Sequence, residues 1–385
     1  MKPFVGFILN SLEMSVTLTP DRIAKIMKAI NLIKNKSNVK IRIFASVVGQ
    51  LVATFPAVRY GPLHSKKLEL SKTIALNKNN RNYEAIMNIS EQDQAEIEWW
   101  FRTIPTTKLF LTPRKVEYTF YTDASSTGGW GFHLVEQNLT IGQRWSVAEK
   151  SLHINVLETK AILFSVLSCL KTVFHSAIMI FSDNTTAVQG LKAQGTTKSF
   201  PCNKIIRKIL RFCEEHDIHL NIAHVPGVSN QIADKASREF KNLDTEWSIP
   251  DETFENICNI FGQPEIDLFA SRLNKKLPKF CSWHPDPEAK FIDAFSVDLS
   301  QFNFVYCFPP FSLISRVLKF LDVYRHLDML MVVPYWTGQP WWPILIRHLI
   351  ELPVKIHKSD HTLILPQLPQ HLHPRRKHLQ MCAVK

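Results

Sequence analysis

From Val116 onward the chain presents an order of elements that few folds can accommodate. Three apolar stretches, 116–123, 129–135 and 140–145, read as strands of hairpin character separated by turn residues. An apolar helix follows over "SLHINVLETKAILFSVLSCL", then a buried strand, "AIMIFSDN". Helical stretches at 185–193 and 202–216 lead to the strand "IHLNIAHV", and a short helix begins near "IADKASREF". Three hairpin strands followed by helix–strand–helix–strand–helix predict an α/β domain built on a mixed sheet.

Within that order four acids occupy related settings. Asp123 ends the first strand, in "TFYTDASSTGGWGF", where small residues and glycines form a tight turn behind it. Glu158 lies inside the first long helix, one turn beyond Ile154, so it can face the end of the sheet. Asp183 ends the strand "AIMIF", and Asp234 opens the last helix. Neighbouring strands would bring Asp123 and Asp183 to about 5 Å. Carboxylates so close repel and raise one another's pKa unless a cation sits among them, and hard oxygen ligands suit Mg²⁺ or Mn²⁺. Two such ions about 4 Å apart can activate water and stabilise a leaving oxygen in phosphodiester cleavage.

The chain has 385 residues, enough for two or three domains, and its 45% hydrophobic and 21% charged content describe a globular protein. Its net charge of +12 is uneven: residues 1–115 carry 18 Lys and Arg against 8 Asp and Glu. Such a surface attracts polyanions, nucleic acid first among them. Seven scattered cysteines without a C-x-x-C pair argue against a zinc site or a disulfide framework and fit a reducing, intracellular setting, cytoplasmic or nuclear. The opening "MKPFVGFILNSLEMS" turns polar too quickly for a signal peptide. The longest uncharged run, 329–346, is broken by Pro334, Gly338, Pro340 and Pro343, so no membrane helix is expected.

The first segment reads as mostly helical. Thr19 is placed as N-cap, Pro20 at the first helical position and Asp21 in the first turn. Ile23, Ile26, Met27, Ile30 and Ile33 then share one face, with Lys25 and Lys28 off it. A second apolar helix is expected over 39–54 and an acidic, aromatic one over "EQDQAEIEWWFRTI". The stretch between them, "KLELSKTIALNKNNRNYE", reads as polar and exposed. Beyond Trp247 the chain becomes rich in Pro and aromatic residues and suggests another α/β unit.

The motifs "YTDASSTGGWG", "HINVLETKA", "FSDNTTAV" and "HVPGVSNQIADKASR" resemble the ribonuclease H domain of retroelement reverse transcriptases, in the order D…E…D…D. The resemblance implies two Mg²⁺ or Mn²⁺ ions held by Asp123, Glu158, Asp183 and Asp234, and cleavage of the RNA strand of an RNA–DNA hybrid. It makes Asn155 a contact to the RNA 2′-hydroxyl, the group by which RNA is told from DNA. Ser125, in the turn after Asp123, and Lys25 and Lys28 are assigned as further nucleic-acid contacts. His224, ten residues before Asp234, matches the family's proton-shuttling histidine, and a purely structural place at its strand end is the other reading.

The flanks carry the resemblance further. "FVGFILNSLEMSVTLTPDRIAKIM" and "VVGQLVATFPAVRYGPLHSKKLE" resemble the end of a reverse transcriptase palm, its thumb and its connection. With "GQRWSVAEKSLHINVLETKA" the match is most like DIRS-type retrotransposons. The chain contains no Tyr-x-Asp-Asp motif, so polymerase activity is not expected of it alone and a palm is expected as partner.

"PEIDLFASRLNKKLPKFCSW" and "FVYCFPPFSLISRVLKFL" resemble the adenine-methyltransferase-like domain of the same elements. Phe308 stands where active enzymes carry a polar residue, and no glycine-rich loop precedes it, so transfer activity is not expected. The expected organisation is a reverse transcriptase palm end, thumb and connection, mostly helical, over 1–115, a ribonuclease H-like mixed sheet with flanking helices over 116–245, and a smaller α/β methyltransferase-like domain over 248–385. The alternative function is a non-catalytic nucleic-acid-binding remnant. A transposase or integrase of related fold uses the order D…D…E, which the early glutamate disfavours.

Overall fold

The structure, a computed structural model, describes residues 2–196, 199–240, 246–324 and 326–385. The boundary expected at residue 245 lies outside the described residues. The chain divides into two compact units. One holds Met1–Tyr118, Phe174–Met179 and Asn184–His224; the other holds Thr119–Val173, Ile180–Asp183 and Val225–Lys385.

In the first unit, helix α1 (Pro20–Asn31) starts as the sequence predicts. The Thr19 hydroxyl accepts from the Arg22 N–H at 3.4 Å, Pro20 follows, and Ile26, Ala29 and Ile30 are buried. Helix α2 (Ile41–Val52) buries Phe44, Val47, Val48 and Leu51. The stretch predicted to be polar and exposed is mostly so, with Leu68 and Ala75 its buried residues, and α3 (Gly61–Lys78) runs through most of it as helix. Pro62 at its first turn and an unbroken run without Gly or Pro permit this, and packing on α2 supplies the stability that its polar sequence lacks. Strands Lys2–Phe4, Phe7–Asn10, Ser15–Leu18 and Lys108–Phe110 form an antiparallel sheet with Val16 and Leu18 buried.

Helix α4 (Glu91–Thr103) opens with a capping box in which Ser90 and Asp93 satisfy each other's backbone N–H. From this helix Glu96 enters a buried ion cluster. His64 lies between Glu96 at 2.6 Å and Glu214 at 2.9 Å, while Arg207 and Arg211 reach Glu96 at 2.6 and 2.7 Å. Burial works to raise the Glu96 carboxyl, but His64 and the two guanidinium groups outweigh it and hold it below its ordinary value.

The central sheet has strands β1 (Tyr118–Ala124), β2 (Gly129–Leu134), β3 (Leu139–Arg144), β4 (Ala177–Ser182) and β5 (His219–His224) in the order β5-β4-β1-β2-β3. β1, β2 and β3 form an antiparallel meander, with Asp123 opposite Gly131 and Gly131 opposite Gly142. β4 and β5 arrive through helical crossovers, by way of α5 (Ile154–Ser168), α6 (Thr185–Lys192) and α7 (Phe200–Glu215). This is the mixed sheet with flanking helices that the element order predicts. α5 is buried on nearly every side because Val156, Leu157, Ile162, Leu163 and Val166 are apolar all round, and Phe164 meets Trp130 edge-on at 5.1 Å.

The last helix of this region, α8 (Gln231–Arg238), lies directly on β2 and β3. Glycine makes the approach possible. A Cβ on Gly142 would stand 2.0 Å from the Ala236 carbonyl oxygen, and one on Gly131 would stand 2.7 Å from the Ala236 Cβ.

After residue 246 the chain forms the expected α/β arrangement. β6 (Phe304–Cys307) runs parallel to β7 (Asp328–Pro334); β9 (Met381–Val384) lies antiparallel between β7 and β8 (Val354–Lys355). Helices α9 (Asp251–Phe261), α10 (Ile314–Leu321) and α11 (Trp342–His348) accompany them. Arg272 ties this region to the meander: its guanidinium bonds both oxygens of Glu149, at 2.9 and 3.2 Å, and the Arg144 carbonyl at 2.7 Å. Among the described residues no helix is long and apolar enough to cross a membrane.

Candidate active site

Three of the four acids singled out in the sequence meet. One carboxylate oxygen from each of Asp123, Glu158 and Asp183 lies within 4.8 Å of the others. Each position follows from local structure. Asp123 is the next-to-last residue of β1, and the apolar strand before it buries Phe120 completely. Asp183 comes directly after β4, whose Ala177, Ile178 and Ile180 are fully buried. Glu158 is on the second turn of α5, the face of which packs on the sheet. The strands fix two carboxylates and the helix brings the third down on them.

Asp123 is 4% and Glu158 5% exposed, so neither charge is solvated by bulk water. Burial, then repulsion from Asp183 and Asp234, push the Asp123 carboxyl up to about 6 despite a hydrogen bond from the Ser237 hydroxyl at 2.5 Å. Burial, then repulsion from Asp123 and Asp183, push Glu158 up to about 9 against a hydrogen bond from the Ala124 backbone N–H. Its Oε2 is buried and has no hydrogen-bond partner. An orphaned, buried acceptor beside two more acids is what a cation would satisfy. The donor set, all carboxylate oxygen, fits Mg²⁺ or Mn²⁺.

Asp234 is not part of the close triad. It lies on the first turns of α8, half exposed, where its Oδ1 accepts from Arg238 Nε at 2.8 Å and Nη2 at 2.6 Å. Its charge still acts on Asp123 and Glu158. Asn155 is half-buried on the first turn of α5, three residues before Glu158. Ser125 is buried, and its hydroxyl accepts from the Gly128 N–H at 3.2 Å, closing the turn behind Asp123. His224 is the exposed last residue of β5. Lys25 and Lys28 are exposed on α1, in the first unit.

Two residues that shape the site escaped the sequence reading. Ser237 donates to Asp123, and buried Asn230 donates from Nδ2 to the Thr122 carbonyl at 3.0 Å. Together they fasten both ends of α8 to β1. The signal for Ser237 is its place three residues after Asp234, on the same helix face.

No family model matches the chain, and no curated protein matches it. Among solved structures it is similar to the RNase H1 of the archaeon Halobacterium salinarum NRC-1, at 17% identity and a TM-score of 0.25, over 31% of this chain and 92% of that one. LC11-RNase H1 in complex with an RNA/DNA hybrid matches at 18% identity and a TM-score of 0.26, over 31% and 93%. A foamy viral protease-reverse transcriptase in complex with RNA/DNA hybrid matches over 64% of this chain and 33% of its own, at 13% identity and a TM-score of 0.24. Likeness at this level leaves the functional reading to the side-chain geometry.

Proposed function

We propose that the chain is a ribonuclease H-type endonuclease that cleaves the RNA strand of RNA–DNA hybrids, with two Mg²⁺ or Mn²⁺ ions held by Asp123, Glu158, Asp183 and Asp234. The observation that carries this reading is the meeting of three carboxylates, two of them buried, around an unpartnered Glu158 oxygen. Such ions, when bound, supply activation of water and stabilisation of the departing oxygen. The chain's own residues set the geometry. Ser237 holds the Asp123 carboxylate in one orientation, and the β1 and β4 backbones fix where Asp123 and Asp183 stand. Asn155 meets the 2′-hydroxyl of the RNA strand, Ser125 shapes the turn beside it, and His224 carries a proton toward or from the leaving 3′-oxygen. Lys25 and Lys28 contribute to phosphate binding without reading sequence.

The wider reading is part of a retroelement reverse transcriptase of DIRS type, with the remainder of the palm as its partner: palm end, thumb and connection over 1–115, ribonuclease H over 116–245, and over 248–385 a methyltransferase-like scaffold. Phe308 follows β6 directly and offers no acceptor for an adenine amino group, which supports a scaffold without transfer activity.

The deciding experiment follows labelled RNA in an RNA–DNA hybrid with Mg²⁺ or Mn²⁺. Asp183→Asn keeps the shape of the strand end and removes its charge. Cleavage falls by about 10³ or more because water activation and leaving-group stabilisation are lost together, while hybrid affinity stays within a few-fold. Cleavage near the native rate would show that the carboxylate group is not the active site.

A further inference from the structure

The ion cluster around Glu96 contains a contact that only one charge state of its histidine can make. His64, on the first turn of α3, is 5% exposed and meets a carboxylate at each ring nitrogen. Its Nδ1 stands 2.6 Å from Glu96 Oε2 on α4, and its Nε2 stands 2.9 Å from Glu214 Oε2 on the last turn of α7. A neutral imidazole carries one N–H and would set a lone pair against the other carboxylate. The imidazolium donates to both. All three helices belong to one compact unit.

The surroundings favour the charged form. Trp99 of α4 lies parallel to the imidazole with ring centroids 3.7 Å apart, and the face of an indole attracts a cation. Among the described residues His64 is the only cation in ion-pair contact with Glu214, whose other oxygen accepts from Trp99 Nε1 at 2.9 Å. Arg207 and Arg211 of α7 both reach Glu96 Oε1 instead. The start of α3 disfavours a cation, but less than two charge-assisted hydrogen bonds favour it. Burial works to lower the His64 pKa, yet the hydrogen bonds to Glu214 and Glu96 outweigh it and hold it above its ordinary 6.5. Tyr60 and Cys213, the other titratable groups beside Glu214, stay neutral because burial pushes both up, Cys213 to about 12.

We propose that His64 is held as an imidazolium and works as a pH-sensitive clasp, fastening α3 and α4 to α7 and loosening as it deprotonates. The sign follows from linkage. The clasp contributes its full stability below pH 6.5 and loses it as pH rises through the higher folded value. Because α7 leads into β5, the loosening reaches the strand that ends in His224.

Two readouts on the full chain test this. In NMR spectra of the chain labelled with ¹⁵N-histidine, the His64 signals are those missing from His64→Gln, and their titration midpoint should lie above pH 6.5. Hydrogen exchange read by mass spectrometry then follows α3 and α7 between pH 6 and pH 9. Corrected for the intrinsic exchange rate, native protection should fall about tenfold or more, since one pKa unit of linkage is a tenfold change in an opening equilibrium. His64→Gln should be weakly protected already at pH 6 and should lack this fall. Comparing the two chains also cancels Glu158, which titrates in the same window. Glu214→Gln keeps the shape of the contact and carries the test should the first variant fail to fold: the His64 midpoint should drop, and the loss of protection should move to lower pH with it. A native midpoint at or below pH 6.5, native protection indifferent to pH, an equal fall in His64→Gln, or a midpoint unmoved by Glu214→Gln would overturn the assignment.

Discussion

Glu158→Gln should make the metal-free protein more stable, although it removes a residue placed at the centre of the chemistry. In the folded chain the Glu158 carboxyl is raised to about 9, against an ordinary value of 4.5. The sign follows from linkage. A group whose folded pKa lies above its unfolded one contributes its full stability below pH 4.5 and loses it as pH rises toward 9. Each pH unit in that window removes about 1.4 kcal/mol, so by pH 7 the loss is on the order of 3 kcal/mol. Glutamine cannot ionise and keeps an oxygen for the Ala124 N–H. Its amide hydrogens find only carboxylates nearby, and part of the gain is spent in desolvating them, which leaves about 2 kcal/mol. Urea or thermal unfolding in the presence of a chelator, at pH 5 and pH 8, measures the difference directly. The variant should exceed the native chain at pH 8 and approach it at pH 5. Added Mg²⁺ or Mn²⁺ should then raise the stability of the native chain and leave the variant nearly unchanged. A variant less stable than the native chain at pH 8, or a gap independent of pH, would refute the electrostatic account of the site.

His224→Ala should slow hybrid cleavage by roughly 10²-fold, because positioned proton transfer contributes 10²–10⁴ and water replaces it in part; an unchanged rate with Asp183→Asn still inactive would leave the histidine a purely structural place. Removing the charges of Lys25 and Lys28 together should lower the slope of log affinity for hybrid against log salt by about 2, and an unaltered slope would make them solvated surface. Glu149, held down at about 2 by Arg272 and Lys160 against its burial, contributes stability above pH 4.5 that is lost as pH falls toward 2. Arg272→Met should therefore destabilise the fold at pH 7 by about 3 kcal/mol and flatten its acid limb; wild-type-like acid unfolding of that variant would contradict this.

Where side-chain type and element order coincide, the sequence was enough. "AIMIF" followed by Asp183, and "YTFYT" around Asp123, place acids at the ends of apolar strands, and strand ends are fixed by burial alone. Thr19, Pro20 and Asp21 set a helix start by local chemistry. α3 shows no hydrophobic stripe in the sequence because its inward face includes His64 and Ser65, so hydrophobic spacing disappears into a polar pattern. His64 is buried only because Glu96 and Glu214 come from far along the chain. The strands near the start were obscured for a related reason: three or four residues are too few for alternation to stand out. Ser237 and Asn230 depend on α8 folding back onto β1, a contact over more than 100 residues that no local pattern announces.

The joint of α8 with β2 and β3 also has an evolutionary consequence. Elsewhere in the core a leucine can become a methionine and its neighbours shift rotamer to absorb the change. At Gly142 the opposing atom is the Ala236 carbonyl oxygen, which has no rotamer to shift, and at Gly131 it is the same residue's backbone and methyl. No second-site change can compensate, because neither partner can become smaller in a useful way. Gly131, Gly142 and Ala236 should therefore drift as one inherited unit or not at all. In a library of random variants selected only for folding, these three positions should stay fixed while the apolar residues around them interchange.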